Sequence, residues 1–246
     1  MAERLAIAGL QYTVYFLEFA LVAYLVRKGH LRRLAGISVY LLGLLLIDAL
    51  GRPFVLYRFG FSSPEYAYTY WLSDAFLELT AFALVCALFR RACAQHEKLW
   101  ETVKLVLGFV FVLLVGISLF SLSSHENQIL TRFIIEFEQN LYFTCLVLNT
   151  LLFILLQQTQ SADEELELLV CGLGIQFAGP AASYAMIHLT PGWVYATLVN
   201  DILGQLCTMG MLLTWFYAVA RVPKAAPASA KRELALSPAE ASGQNS

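Results

Sequence analysis

The sequence predicts an all-α polytopic membrane protein with seven transmembrane helices, and three observations predict it. First, the chain of 246 residues is 59% hydrophobic and only 14% charged, with a mean hydropathy of +0.66. A soluble domain carries about a quarter charged residues. Second, the apolar residues gather in seven runs, at 6–26, 34–57, 66–89, 102–121, 131–156, 167–189 and 194–219. Each holds about 20 residues or more, enough to cross a hydrocarbon core of about 30 Å at 1.5 Å per residue. Third, the basic residues between the runs favour one side, as they do in chains that cross a bilayer repeatedly.

The first run lies in "MAERLAIAGLQYTVYFLEFALVAYLVRKGH". It lacks a basic start and a small-x-small cleavage site, and Glu18 interrupts it, so it reads as a permanent span rather than a signal peptide. Gln11, Tyr15 and Glu18 form one stripe along it. The second run carries Asp48 and, four residues later, Arg52, a spacing that pairs charges within a helix; Pro53 should kink it and free a carbonyl one turn back. The third, "YWLSDAFLELT", places Tyr70, Trp71, Asp74 and Glu78 on one face by i, i+3, i+4 spacing. The fourth, "LVLGFVFVLLVGISLF", is apolar all round and is expected to face lipid or serve as a plain linker. The fifth carries Arg132 and Glu136, a second i, i+4 ion pair, with Gln139 and Asn140. The sixth offers Gln176, Tyr184 and the proline Pro180. The seventh offers Asn200, Asp201 and Gln205. After residue 221, "VPKAAPASAKRELALSPAEASGQNS" is too poor in large apolar residues to order itself. Residues 1–221 are therefore expected to form the seven-helix domain, and 222–246 a disordered cytoplasmic tail.

Arg27, Lys28, Arg32 and Arg33 follow the first run, Arg90, Arg91, Lys98 and Lys104 the third, and Arg221, Lys224, Lys231 and Arg232 the seventh. Twelve of the sixteen basic residues thus fall on one side. That side is expected to be the cytoplasm, with the N-terminus outside and the C-terminus inside a plasma (inner) membrane.

An offset of 127 residues aligns 11–91 with 138–218 without a gap, with 15 of 81 positions identical. Pro53 meets Pro180, Tyr15 meets Tyr142, Asp74 meets Asp201 and Glu78 meets Gln205. Such a repeat superposes helices one to three on five to seven in the same direction. The fourth helix is the odd connection that keeps the triplets parallel, giving a 3+1+3 plan.

The polar residues of the spans are expected in one half of the membrane, as a pocket open to the outside. An ionised side chain at mid-bilayer costs about 2.5–3.5 kcal/mol on the insertion scale. With Asp48–Arg52 and Arg132–Glu136 paired as structural ion pairs, Glu18, Asp74, Glu78 and Asp201 outnumber their counter-charges. Surplus acids of this kind await protons or a cationic or hydroxyl-rich ligand. The predicted ligand site comprises Asp74, Glu78, Asp201, Gln205, Glu18, Tyr15, Tyr70, Trp71, Asn200, Gln176 and Tyr184, the aromatic rings serving as a wall for a cation. Interhelical hydrogen bonding offers the plainer account of any one of these residues.

Other chemistries lack their residues. The four histidines are isolated, the five cysteines scattered, and no phosphate loop or nucleophile elbow occurs. No metal site, catalytic residue or cofactor is expected, and a net charge of −2 with no basic stripe gives no sign of nucleic-acid binding. Only acid–base chemistry on a lipid by Asp74 and Glu78 keeps an enzyme reading open. The bilayer is the one certain partner; an unidentified small solute, a second copy of the chain and a cytoplasmic protein at the tail stay open.

"YWLSDAF" followed by "FRRA" resembles a group of uncharacterised bacterial seven-helix membrane proteins, in which an aromatic pair, a small residue and an acid open the third helix. Here these are Tyr70, Trp71, Ser73 and Asp74. The resemblance implies the seven-span fold and a bacterial inner membrane, and it implies no activity. The repeat plan is also similar to sugar and amino-acid carriers built from two three-helix bundles, although their Pro-Gln dipeptide is absent. Two functions follow as expectations. One is a carrier for a small polar or cationic solute, with proton coupling left open; the other is a membrane sensor signalling to a cytoplasmic partner, or an accessory subunit without a ligand.

Overall fold

A computed structural model describes residues 2–60, 63–94, 97–122, 129–158, 163–189 and 196–221. The expected tail, 222–246, lies outside the described residues, as do Trp193 and the side chains of Arg132, Tyr184, Asn200 and Asp201. Among the described residues the secondary structure is entirely helical. The helices are α1 (Ala2–Lys28), α2 (Ala35–Phe59), α3 (Pro64–Ala92), α4 (Glu97–Leu122), α5 (Ile129–Gln158), α6 (Glu164–Leu189) and α7 (Ala196–Arg221). All seven are long and apolar enough to cross a membrane. Large apolar side chains such as Phe16, Phe54, Leu105 and Val112 point outward. Water would penalise that surface; lipid does not. The helical runs and their count match the sequence expectation.

Local chemistry sets the helix ends. Gly29, at φ 67°, closes α1 in a Schellman arrangement, with Gly29 N–H donating to Val26 O at 3.1 Å and His30 N–H to Leu25 O at 3.0 Å. Gly60, at φ 81°, ends α2 with its N–H on Leu56 O at 2.9 Å. At the start of α3, Ser63 Oγ accepts from Tyr66 N–H at 3.0 Å and Pro64 takes the first helical position. Asp163 caps α6 in the same way, its Oδ1 accepting from Leu166 N–H at 3.1 Å.

The helices form a closed ring. Each of α1, α2, α3, α5, α6 and α7 packs on the next, and α7 returns to α1. α4 lies outside this ring against α5 and α3, with Phe111 on Phe82 at 5.3 Å between centroids. The expected lipid-facing character of α4 holds for Leu105, Phe109, Val112 and Ile117, but Ser118 is fully buried.

The two prolines sit in different backbone settings. Pro180 brings no N–H to Gln176 O, and the Tyr142 hydroxyl of α5 donates to that carbonyl at 2.8 Å. Pro53 follows a π-helical stretch, Leu45–Gly51, in which Arg52 N–H reaches back five residues to Ile47 O. Asp48, within that stretch, and Arg52, just after it, face the ring interior.

α6 and α7 approach most closely. A Cβ on Gly172 would lie 2.7 Å from the Trp215 ring, and one on Gly179 would lie 2.6 Å from Cys207 Sγ. Glycine therefore lets these backbones meet. Trp215, fully buried, donates its indole N–H to Leu169 O at 2.9 Å, and Asn149 Nδ2 donates to Val170 O at 3.1 Å. The core so formed lies toward the ends of α1, α3 and α5 remote from the polar groups described next.

Candidate functional site

At the other end the ring opens into a cavity of about 570 Å³. α1 contributes Gln11, Tyr12, Tyr15 and Glu18, α2 contributes Asp48, Arg52 and Pro53, and α3 contributes Tyr66 and Tyr70. Gln176 of α6 and Gln205 and Thr208 of α7 complete the polar lining. Residues more than a hundred positions apart therefore share one space. Of the predicted site, Glu18, Tyr15, Tyr70, Gln176 and Gln205 face this cavity. Trp71, Asp74 and Glu78 are not among its lining residues.

The position of Asp74 corrects one expectation. It was counted as an acid without a counter-charge, but Arg52 Nη2 donates to Asp74 Oδ1. The same guanidinium places Nη1 at 2.9 Å from Asp48 Oδ1, the predicted i, i+4 pair, and donates from Nε to Ser73 Oγ at 3.2 Å. Its face lies 4.4 Å from the centre of the Tyr70 ring. One arginine thus ties α2 to α3 through two of its nitrogens and a cation–π contact, while the third holds Asp48 of its own helix. The i, i+4 rule sees a pair within one helix; it cannot see that the neighbouring helix presents a second acid to the same cation.

Trp71 stands edge-on to Tyr70 at 5.7 Å and so buttresses the ring that covers Arg52. Tyr15 accepts from Gln11 Nε2 at 2.6 Å, fixing both side chains on the cavity wall. Glu18 is different. It is only 1% exposed, its Oε2 is enclosed, and that oxygen has no hydrogen-bond partner.

Beside the cavity a second group of acids spans α3 and α5. Glu78 and Glu138 each enclose one oxygen that lacks a partner, and they lie within electrostatic reach of each other and of Asp74. Glu138 is absent from the predicted site, and the sequence reading names only Arg132, Glu136, Gln139 and Asn140 as polar residues of the same segment. The signal was present: the 127-residue offset aligns Glu138 with Gln11, a residue already singled out on α1.

The opposite end of the bundle holds a charge cluster that the sequence reading also missed. Arg91 of α3 binds Asp163 Oδ2 at 2.8 Å and Glu165 Oε2 at 2.7 Å, and Arg33 donates to the same Glu165 oxygen. Glu165 is 2% exposed. The clue lay in topology: the acidic stretch "SADEELE" and the arginine-rich turns fall on one predicted side, so opposite charges were bound to meet there.

Among the described residues no group of three His, Cys, Asp or Glu is placed to hold a metal ion. No protein-family model matches the chain, and neither curated proteins nor solved structures show a match to it. The functional reading therefore rests on the cavity itself.

Proposed function

We propose that this protein is an integral membrane carrier that binds a small polar or cationic solute in the cavity between α1, α2, α3, α6 and α7. The observation that carries this reading is Glu18: a buried carboxylate with a partnerless oxygen on the wall of a 570 Å³ space. An ionisable group inside a membrane span is costly, and it is kept where it meets a solute, an ion or another charge.

The repeat supports a carrier over a passive anchor. Adding 127 to the bounds of α1 gives 129–155, against Ile129–Gln158 for α5; α2 and α3 map in the same way close to α6 and α7. The exchange also maps the ring of neighbours onto itself, since the α7–α1 contact becomes α3–α5. Tyr142 with Pro180 in one half answers Tyr15 with Pro53 in the other. Two like triplets around a central site can rock against each other, which is how many secondary transporters alternate access. On this reading the basic end, with Arg33 and Arg91, faces the cytoplasm of a bacterial inner membrane, and the cavity opens outward.

The test is a library of small polar solutes screened by thermal stability on purified full-length protein, followed by uptake of labelled hits into proteoliposomes with and without a pH gradient. Uptake that depends on Glu18 supports the carrier, and stimulation by the gradient supports proton coupling. Binding without uptake turns the reading to a sensor. If no solute shifts the wild type relative to Glu18→Gln, the solute site is lost altogether.

A further inference from the structure

The chemistry of the cavity wall narrows the class of solute, and this step rests on the solute-site reading above. Two side-chain oxygens on the wall are enclosed without a hydrogen-bond partner or ion pair: Glu18 Oε2 and Gln176 Oε1. Both are acceptors. Among the described lining residues, no enclosed side-chain nitrogen stands unpartnered to match them. A buried acceptor without a donor keeps its full desolvation cost until a donor arrives. The missing component is therefore a hydrogen-bond donor.

Charge points the same way. Asp48 and Asp74 both pair with Arg52, and each nitrogen of that cation is already engaged. An anionic solute would meet the carboxylates of Glu18 and Asp48 on the wall, and an arginine with little left to offer. The tyrosine rings on the wall, Tyr12, Tyr15, Tyr66 and Tyr70, present faces that attract a cation.

We propose that the cavity takes an organic ammonium ion, a protonated primary amine whose N–H groups bond to Glu18 and Gln176 while its carbon body lies among the tyrosine rings. An ammonium offers three donors on one charged centre, which suits both acceptors, one of them an uncompensated carboxylate. A neutral alcohol offers one donor and no charge. A quaternary ammonium offers charge and no donor. A bare metal ion needs several oxygens converging on one point, and the described residues do not provide such a group.

Four probes of one shape separate these cases: n-butylamine, butyltrimethylammonium, n-butanol and pentanoate, each titrated against the full-length protein in nanodiscs with the unfolding midpoint as readout. Butylamine is expected to raise the midpoint and to bind at least about tenfold more tightly than the other three. Glu18→Gln is expected to weaken butylamine by about tenfold or more. Equal binding of the trimethylated probe, or unchanged butylamine affinity in Glu18→Gln, overturns the amine assignment. If butanol, pentanoate or another library solute shifts the protein but butylamine does not, the amine assignment falls and the solute site stands. If nothing shifts the wild type, both fall. Should Glu18→Gln not fold, the four-probe ranking on the wild type decides the matter, with Gln176→Leu as the second variant, expected to weaken butylamine by a few-fold.

Discussion

Glu18 and Glu165 are both glutamates on membrane-length helices, 1% and 2% exposed, at opposite ends of the same bundle. Glu165 is held by Arg91 of α3 and by Arg33 of the turn before α2, while Glu18 has no cation bonded to it. Around Glu165, two arginines meet two acids and the charge closes. At the cavity, Arg52 is taken by Asp48 and Asp74, and Glu18 stays outside the pairing. Equal burial thus conceals two uses of charge. A closed cluster ties the turn before α2 to α3 and to the start of α6. An open cluster keeps a carboxylate under-solvated and ready for something that is not part of the chain.

Mutations can break that contrast, and the largest effect is expected at the closed end. Arg91→Met leaves Asp163 without its arginine and Glu165 with Arg33 alone, and should destabilise the fold by about 3 kcal/mol, measured by reversible unfolding in detergent. A loss under about 1 kcal/mol would mean the cluster is a solvated ornament. Arg52→Met comes next, at about 2–3 kcal/mol, because it strands Asp48 and Asp74 together. Adding Asp48→Asn and Asp74→Asn should recover most of that loss, and no recovery would show that Arg52 acts through packing alone. Tyr142→Phe should cost about 1 kcal/mol by exposing the carbonyl that Pro180 leaves open. Smallest is Glu18→Gln, expected within about 1 kcal/mol of the wild type or slightly stabilising, since an amide removes an unmatched charge. A loss as large as that of Arg91→Met would place Glu18 among the structural residues and close the gap between the two ends.

Much of this architecture was legible in the chain. Apolar runs longer than a bilayer is thick are a one-dimensional signal, as are Gly29 and Gly60 at helix ends and Pro180 with a carbonyl four residues behind it. The Asp48–Arg52 pair follows from helix periodicity. The candidate site was legible in part: Tyr15, Glu18, Tyr70, Gln176 and Gln205 reach the cavity, but Asp74 is claimed by Arg52, and Glu138 joins Glu78 unannounced. These misses share a cause. Spacing within a helix says which residues share a face, and it is silent on which faces turn toward each other.

The sequence by itself determined that this protein is helical, that seven of its helices are long and apolar enough to lie in a membrane, and that acids outnumber bases within those helices, because length, hydropathy and formal charge are properties of residues taken in order. Only the tertiary structure decided which acids find a cation. That outcome depends on the rotation of each helix about its axis, set by glycine contacts such as Gly172 against Trp215 and by the π-helical turn at Leu45–Gly51. Rotation turns Asp74 toward Arg52 and leaves Glu18 facing an open space.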